Sequence, residues 1–294
     1  MVKIYKTGLQ SFGYYGSEVT GMTYHEVQAA QHLYLSLCGS PSQSRHKHIS
    51  LCLLGDPTWR QATSTIGTWA SIVWKAATDP YVKKMWPLNW LGEEAGKTIR
   101  HLPRTWAEVR GPLGAAHMAL KKLGWAFCTP VQLRSHTGDI VNLTDTSPKQ
   151  INALLKEAWD LLNLQGAMSF MKQAGAPEDH LLDFEAARKL LRETGLGSQQ
   201  RALILSYLCQ TVWSNDRLFM VGFDVVQGCP NCGGHRDDLH HRLFDCPATE
   251  DLRQAHLHED DVDYLRAHGQ AAFGCQAIAC LPRTTPPGYG CETY

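Results

Sequence analysis

Four residues in the last third of the chain have the types and spacing of a metal site. Two residues separate Cys229 from Cys232 and four separate His241 from Cys246, which gives the pattern C-x2-C-x8-H-x4-C. Three thiolates and one imidazole are the ligand set of a closed, tetrahedral structural zinc site. The pattern therefore predicts one structural zinc ion, with no coordination position open for a catalytic water.

The nitrogen ligand of this site has competitors in the sequence. His241 is preferred because its spacing to Cys246 is that of common zinc knuckles, but His240 and His235 stay open as alternatives. A buried pair of cysteines beside exposed histidines is the simpler interpretation, since a free cysteine behaves as a small hydrophobic residue. Four potential ligands within 18 residues favour the metal site.

The elements that must position this site are predicted to be mostly helical. Apolar residues recur at three- and four-residue spacing in five segments, and two of these begin with capping-box patterns, Thr23 with Glu26 and Ser147 with Gln150. The helical segments are residues 23–37, 63–78, 111–124, 147–162 and 198–213, and a further helix is expected between Pro177 and Gly195.

Two short strands, residues 131–134 and 140–143, flank the turn at residues 136–139. The predicted fold class is therefore mainly α (α+β with a short β-hairpin), a helical domain with a small structural zinc knuckle. We expect a helical region at 1–110, a hairpin and helical region at 111–215, the knuckle at 216–260 and a flexible tail at 261–294. The His46-Lys47-His48 run is expected to be a hydrated loop.

Composition excludes several classes of protein. The chain has 294 residues, 28 Lys and Arg against 28 Asp and Glu, and 44% hydrophobic residues, which argues against a disordered or uniformly basic chain. Its longest apolar runs are far shorter than the roughly 20 residues that span a membrane. Because no secretory signal is readable and the ten cysteines are scattered, we expect an intracellular protein of the nucleus or cytoplasm, not a secreted one.

Charge is uneven along the chain. Residues 83–134 carry nine Lys and Arg against three Glu, a net charge of +6, whereas residues 201–260 have a net charge of −4. The basic segment is the predicted contact for nucleic acid. Its candidate contact residues are Arg100, Arg104, Arg110, Lys121 and Lys122, and Trp86, Trp90 and Trp106 are expected to be exposed for base stacking.

The knuckle resembles a known family. The segments GCPNCG and HHRLFDCP are similar to the zinc knuckle that follows the polymerase in non-LTR (LINE-type) retrotransposon reverse transcriptases, in the variant carried by dinoflagellate elements. Residues 15–21, 111–125, 136–143 and 147–148 resemble other stretches of the same C-terminal region, in the same order. The resemblance spans roughly residues 10–285 and implies a post-polymerase module that binds RNA or DNA.

The chain departs from that family where catalysis is concerned. It has no paired aspartates in the context that a polymerase needs, and the segment after Cys246 is too short for a ribonuclease H and contains no Lys for an endonuclease motif. We therefore expect a non-catalytic nucleic-acid-binding module with no membrane and no small-molecule substrate. A zinc-stapled protein-interaction scaffold, or a degenerate fragment without activity, is the alternative.

Overall fold

The computed structural model describes residues 15–38, 46–173, 180–192, 195–209, 212–238, 241–256 and 279–282. The chain divides into two compact units. The first contains Met1–Cys38 and Asp56–Asn163, and the second contains Gly39–Gly55 and Leu164–Tyr294. Helices dominate the described residues and a small antiparallel sheet accompanies them, which confirms the predicted fold class.

The helices and strands are numbered along the chain. The helices are α1 (Ser17–Thr20), α2 (Tyr24–Cys38), α3 (Lys47–Leu54), α4 (Trp59–Ala62), α5 (Ser64–Thr78), α6 (Pro80–Met85), α7 (Leu88–Ile99), α8 (Gly111–Lys122), α9 (Pro148–Gln173), α10 (Glu185–Arg192), α11 (Ser198–Leu208), α12 (Asn215–Met220) and α13 (Glu250–His256). The strands are β1 (Ala126–Thr129), β2 (Gln132–Arg134), β3 (Ile140–Asn142), β4 (His180–Asp183) and β5 (Ala279–Pro282).

The core of the first unit forms around α5. Ile66, Ala70 and Val73 lie on one face of this helix and are at most 1% exposed, as their three- and four-residue spacing predicts. They belong to one apolar cluster that also contains Leu120 of α8 and Leu155 of α9. The face of α5 that carries polar residues is therefore left toward solvent.

A buried carboxylate organises the polar interior of the same unit. Asp56 is 6% exposed and accepts hydrogen bonds from the Trp159 indole at 2.7 Å, the Gln31 amide at 2.5 Å and the Asn163 amide at 3.2 Å. The Thr58 hydroxyl and backbone N–H also donate to Asp56, at 2.6 and 2.9 Å. Because buried polar groups are costly when unpaired, these donors fix the start of α4 against α2 and α9.

The small sheet has the strand order β1-β2-β3, with both pairs antiparallel. In its register, Leu133 of β2 lies between Phe127 of β1 and Val141 of β3. The predicted hairpin of β2 and β3 is confirmed, and β1 is a third strand that the sequence pattern did not indicate. Leu133 is fully buried, so the sheet closes one side of the apolar cluster of the first unit.

The second unit has its own apolar cluster, built from α3, α9, α10 and α11. Its most buried members include Ile49, Ala167, Phe184 and Leu208. The Arg188 guanidinium of α10 donates to the Cys52 carbonyl from Nε at 2.9 Å and from Nη2 at 2.7 Å, which ties α10 to the end of α3.

The expectation of a hydrated loop at residues 46–48 is wrong. Lys47 begins α3, and the half-buried His46 ring stacks on Phe170 with 3.9 Å between ring centroids. Burial is the main reason why the pKa of His46 falls to about 4, and the nearby His48 and Lys47 lower it further. An aromatic contact from α9, distant in sequence, therefore orders a polar segment that looks like a loop.

The domain boundaries predicted at residues 110, 215 and 260 stay a prediction. Four residues of the predicted tail, Ala279–Pro282, form β5 and pair antiparallel with β4, and the rest of that segment lies outside the described residues. No helix in the described part of the chain is both long and apolar enough to cross a membrane.

Candidate metal centre

A tight backbone loop presents the first two cysteines. The Cys229 N–H donates to the Gly234 carbonyl at 2.8 Å, and the Gly233 N–H donates back to the Cys229 carbonyl at 2.9 Å. Gly228 enters this loop with φ of 108°, and a Cβ built on it would lie 2.5 Å from the Gly234 carbonyl oxygen. Only glycine tolerates both the left-handed backbone and that approach.

The structure brings all four predicted ligands together. The ligand atoms of Cys229, Cys232, His241 and Cys246 all lie within 4.8 Å of one another, a group that can hold a metal ion. The sulfurs of Cys229 and Cys246 are 3.8 Å apart, and the Cys232 sulfur is 3.3 Å from Nε2 of His241. Cys229 and Cys246 are buried, whereas Cys232 and His241 are half-buried.

The structure bears on one of the two alternative nitrogen ligands, His235, and not on the other, His240. His235 is exposed and is not a member of the group of four, although it lies inside the same loop region. His240 lies outside the described residues, so its role as an alternative ligand stays untested. His241 is therefore the imidazole that the described structure places at the thiols.

A short turn positions His241 and Cys246. The His241 N–H donates to Oδ1 of Asp238 at 2.7 Å, and the Cys246 N–H donates to the His241 carbonyl at 2.7 Å. Between them the turn His241–Asp245 buries Phe244, which is 4% exposed. The single apolar anchor and the two backbone contacts hold the ligands in a segment with little core of its own.

A buried ion pair supports the centre from outside. Asp237 is fully buried and accepts two hydrogen bonds from Arg242, from Nε at 2.5 Å and from Nη2 at 2.7 Å. The Asn215 N–H donates to the same carboxylate, and the Asp237 N–H donates to Asp216 at 2.8 Å. Burial favours the neutral acid, but Arg242 outweighs it and holds the pKa of the Asp237 carboxyl below its usual range.

A second arginine braces the turn after the last ligand. Arg253 of α13 is 5% exposed and donates from Nη2 to the Cys246 carbonyl at 2.8 Å and from Nη1 to the Leu243 carbonyl at 3.3 Å. Glu250 pairs with the same guanidinium. Sequence spacing did not single out Asp237, Arg242 or Arg253. Burial, unusual for charged residues, identifies Asp237 and Arg253, and half-buried Arg242 is identified by its ion pair with Asp237.

The surroundings shift the pKa values of two of the thiols in opposite directions. Burial raises the pKa of Cys229, but backbone N–H groups of Cys232 and Asn231 outweigh it and lower that pKa to about 7. The pKa of Cys232 is raised: the Gly234 N–H lowers it, but burial and the neighbouring thiols of Cys246 and Cys229 outweigh that contact. A bound divalent cation would favour the thiolate form of all three cysteines, because only thiolates bind a metal.

The predicted nucleic-acid contacts do not form one uniform surface. Arg100, Arg104, Arg110 and Lys121 are exposed. Lys122 is different, because its ammonium lies 4.4 Å from the centre of the Trp159 ring and is committed to a cation–π contact. Lys122 therefore supports the interior of the first unit.

The aromatic residues of the basic segment also divide. Trp86 and Trp90 are exposed by 49% and 48%, as predicted. Trp106 is not exposed: its ring packs against Gly21, where an added Cβ would lie 2.8 Å from a ring carbon. The expectation for Trp106 is wrong because glycine at position 21 lets the ring approach the backbone.

Exposed aromatic and basic side chains share the helices α6 and α7. We call these residues the α6–α7 surface: Tyr81, Lys83, Lys84, Trp86 and Trp90. Tyr81 is 73% exposed, and the N-cap Asp79 begins α6 by accepting from the Tyr81 N–H at 2.8 Å. The cap therefore fixes the first turn of α6, which carries Tyr81.

Comparison of the chain with protein-family models, with curated proteins and with solved structures gave no match. The resemblance to the C-terminal region of LINE-type reverse transcriptases rests on the sequence motifs alone and stays an expectation.

Proposed function

We propose that the chain is a non-catalytic nucleic-acid-binding module, of the kind found after the polymerase in LINE-type reverse transcriptases, with one structural zinc ion. Zinc is the proposed metal because three cysteines and one histidine are its characteristic structural ligand set. The reduced thiols that this requires agree with the proposed location in the nucleus or cytoplasm.

The zinc ion would act as a staple. Within the described residues, the segment 228–256 has few buried apolar side chains, chiefly Phe244, and its backbone is held by turns. In such small segments the free energy of metal binding is also free energy of folding. The pair of buried Asp237 and half-buried Arg242 supports this role, since it orients the ligand segment.

The α6–α7 surface is the single observation that carries the nucleic-acid part of the proposal. Ammonium groups on Lys83 and Lys84 can attract phosphates, and exposed rings on Trp86 and Trp90 can stack on unpaired bases. Each stacked base contributes about 1–3 kcal/mol without requiring a sequence. We therefore infer a preference for single strands over duplexes.

Fluorescence anisotropy with labelled single-stranded RNA and duplex DNA, measured across a salt series, tests this function. We expect salt-sensitive binding that is tighter for the single strand. A zinc chelator should not abolish this binding, because the α6–α7 surface and the ligand segment belong to different units. Absence of binding to both nucleic acids at low salt, with zinc retained, would overturn the nucleic-acid part of the proposal.

A pair of matched variants locates the contact. Replacing Lys83 and Lys84 by Gln should weaken binding and reduce the salt dependence, because two phosphate contacts are lost. The same charge change at exposed Lys189 and Arg192 of α10 is the control and should leave binding near the wild-type value. Equal losses from the two pairs would indicate attraction to net charge rather than contact at this surface.

A protein-interaction scaffold is the second candidate, and one feature favours it. Apolar side chains next to the knuckle are exposed: Phe219 by 50%, Met220 by 83%, Phe223 by 58% and Val226 by 86%. Clustered exposed apolar residues are typical of protein-interaction sites. Zinc binding with no nucleic-acid affinity would favour this candidate.

A further inference from the structure

A second polar feature of the first unit lies on the solvent face of α5. A cleft of about 580 Å³ lies between α4, α5 and α9. Its polar lining consists of Arg60, Ser64, Thr68, Ser71, Lys75 and Asn152, and Trp59 contributes an aromatic wall. None of the sequence motifs described above falls in this cleft.

Helical spacing explains why the polar residues of α5 face one way. Ser64, Thr68, Ser71 and Lys75 recur at intervals of four, three and four residues, so they form a single stripe along the helix. From Ser64 to Lys75 the helix advances eleven steps, about 16 Å at the rise of an α-helix. The opposite face of α5 is in the core, which fixes the rotation of the helix and keeps the stripe toward the cleft.

The charge of the cleft has one sign. Arg60 and Lys75 are exposed and lie in its lining, and none of the lining residues is acidic. The Arg60 guanidinium lies 5.5 Å from the centre of the Trp59 ring, a cation–π contact that limits its freedom. A cleft with two cations and no carboxylate favours an anionic ligand.

The hydroxyl groups can serve such a ligand. Ser64 donates to the Gln61 carbonyl at 2.7 Å and Ser71 donates to the Gly67 carbonyl at 2.8 Å. A hydroxyl hydrogen rotates freely, and a hydrogen bond to a charged oxygen is roughly twice as strong as one to a neutral carbonyl. A phosphate oxygen in the cleft would therefore draw these hydrogens away from the helix.

Glycine keeps the floor of the cleft open. A Cβ built on Gly67 would lie 3.0 Å from Oδ1 of Asn152, closer than ordinary packing allows. Without it, the Asn152 amide approaches α5 and adds a polar group to the lining. Substitution of Gly67 by alanine is thus a steric probe that changes no charge.

We propose that the cleft along α5 binds the phosphodiester backbone of a single-stranded nucleic acid. This inference rests on the proposed function and specifies the path of the strand: from the cleft, past Lys75, toward Lys83 and Lys84 of the α6–α7 surface. A stripe about 16 Å long fits several phosphates of one strand, since charges along a strand of duplex DNA recur about every 3.4 Å.

The test compares two double variants of the full chain with equal changes in charge. One replaces Arg60 and Lys75 by Gln, and the control replaces exposed Lys189 and Arg192 by Gln. Binding of labelled oligouridylate should weaken about tenfold in the first, with the salt slope lower by about 1.4, the value for two single-strand phosphate contacts. The control should match the wild type.

A third variant, Gly67→Ala, separates a cleft contact from general attraction. It should weaken oligouridylate binding, because the new methyl group displaces the Asn152 amide from the lining, and urea unfolding should show that the variant is still folded. Unchanged affinity in both Gly67→Ala and the Arg60 and Lys75 variant would overturn the proposal for the cleft. The proposed function fails separately, if the wild-type chain binds no nucleic acid.

Unlabelled competitors distinguish a strand from a free phosphate compound. Unlabelled oligouridylate should displace the labelled strand, whereas uridine monophosphate and inorganic phosphate at the same phosphate concentration should not. Displacement by the mononucleotide as effective as by the strand would overturn the single-strand assignment and make the cleft a nucleotide site.

Discussion

Asp237 acts on the metal centre through its neighbours, because the hydrogen bonds of its carboxylate go to Arg242 and Asn215. Its carboxylate holds Arg242 and the Asn215 N–H, and these contacts anchor the turn that carries His241. An amide in place of the carboxylate would leave the Arg242 charge without its partner in a buried site. An acid that the ligand pattern does not include therefore supports the position of the ligands.

We predict that Asp237→Asn lowers zinc affinity by about 10- to 100-fold, the usual effect of losing a supporting contact behind a ligand. Competition against a chromogenic chelator measures it. Asp224→Asn is the control, because Asp224 is exposed in the same unit. An affinity equal to that of the wild type would mean that the turn holds His241 without the ion pair.

His46 makes the stability of the second unit sensitive to pH. The pKa of His46 is about 4 in the folded chain, below its ordinary value of 6.5, because burial disfavours the charged ring. The unfolded chain therefore binds more protons between these two values. The stabilisation is complete above about pH 6.5 and is lost as the pH falls toward 4.

We predict that His46→Phe reduces this loss, since phenylalanine keeps the stacking on Phe170 and cannot be protonated. After discounting for partial exposure, we expect a difference of about 1–2 kcal/mol between the pH responses of the two proteins. Urea unfolding of both proteins at neutral pH and near pH 5 measures it. Identical pH responses would show that His46 is readily protonated in the folded state.

At the scale of elements, the helix starts were the most predictable features. Both capping boxes form: the Thr23 N–H donates to Glu26 at 2.7 Å, and the Ser147 N–H donates to Gln150 at 2.9 Å. Each box satisfies free N–H groups by contacts three residues apart, so the sequence alone carries the information. The strands β2 and β3 were predictable for the same reason, since a short turn joins them.

Elements that depend on distant partners were not predictable. The helix expected between Pro177 and Gly195 forms at Glu185–Arg192, but His180–Asp183 form β4, which pairs with β5 almost a hundred residues later. The stacking of His46 on Phe170 likewise depends on α9. At the metal centre, spacing identified the four ligands, whereas Asp237 and Arg253 became visible only through their burial. Contacts between residues close in sequence can be predicted from local patterns, whereas contacts between distant residues are seen only in the folded structure.

We predict that Ser147→Ala destabilises the chain by about 1 kcal/mol, the typical cost of removing an N-cap side chain. The Ser147 hydroxyl accepts from the Gln150 N–H, and alanine leaves that donor at the start of α9 without its partner. Denaturant unfolding is the measurement, and Thr98→Ala at an exposed position of α7 is the control. A loss no larger than that of the control would show that water replaces the cap at no cost.

At the scale of the whole molecule, the two units have different sources of stability. The first unit has a large apolar cluster around α5, whereas the ligand segment of the second has few buried apolar side chains and is held by turns, by ion pairs and, in our proposal, by a bound metal. Metal loss should therefore act on one part of the chain and spare the other.

We predict that a zinc chelator raises amide hydrogen exchange across residues 229–256 and leaves exchange in α5 unchanged. Cys232→Ser should reproduce this pattern without chelator. Cys128→Ser, at an exposed thiol of β1, should keep one equivalent of zinc and the protected pattern. Increased exchange across α5 as well would mean that the two units unfold together.

The backbone at Gly228 limits which mutations the gene can tolerate at this position. The left-handed backbone and the 2.5 Å approach to the Gly234 carbonyl leave no room for any side chain. A missense change in the Gly228 codon would therefore disrupt the cysteine loop as surely as loss of Cys229, although the glycine offers no side chain to a metal. In a library of random variants selected for zinc retention, we expect both positions to be depleted to the same degree. A heritable defect of the metal centre can thus originate outside every one of its ligands.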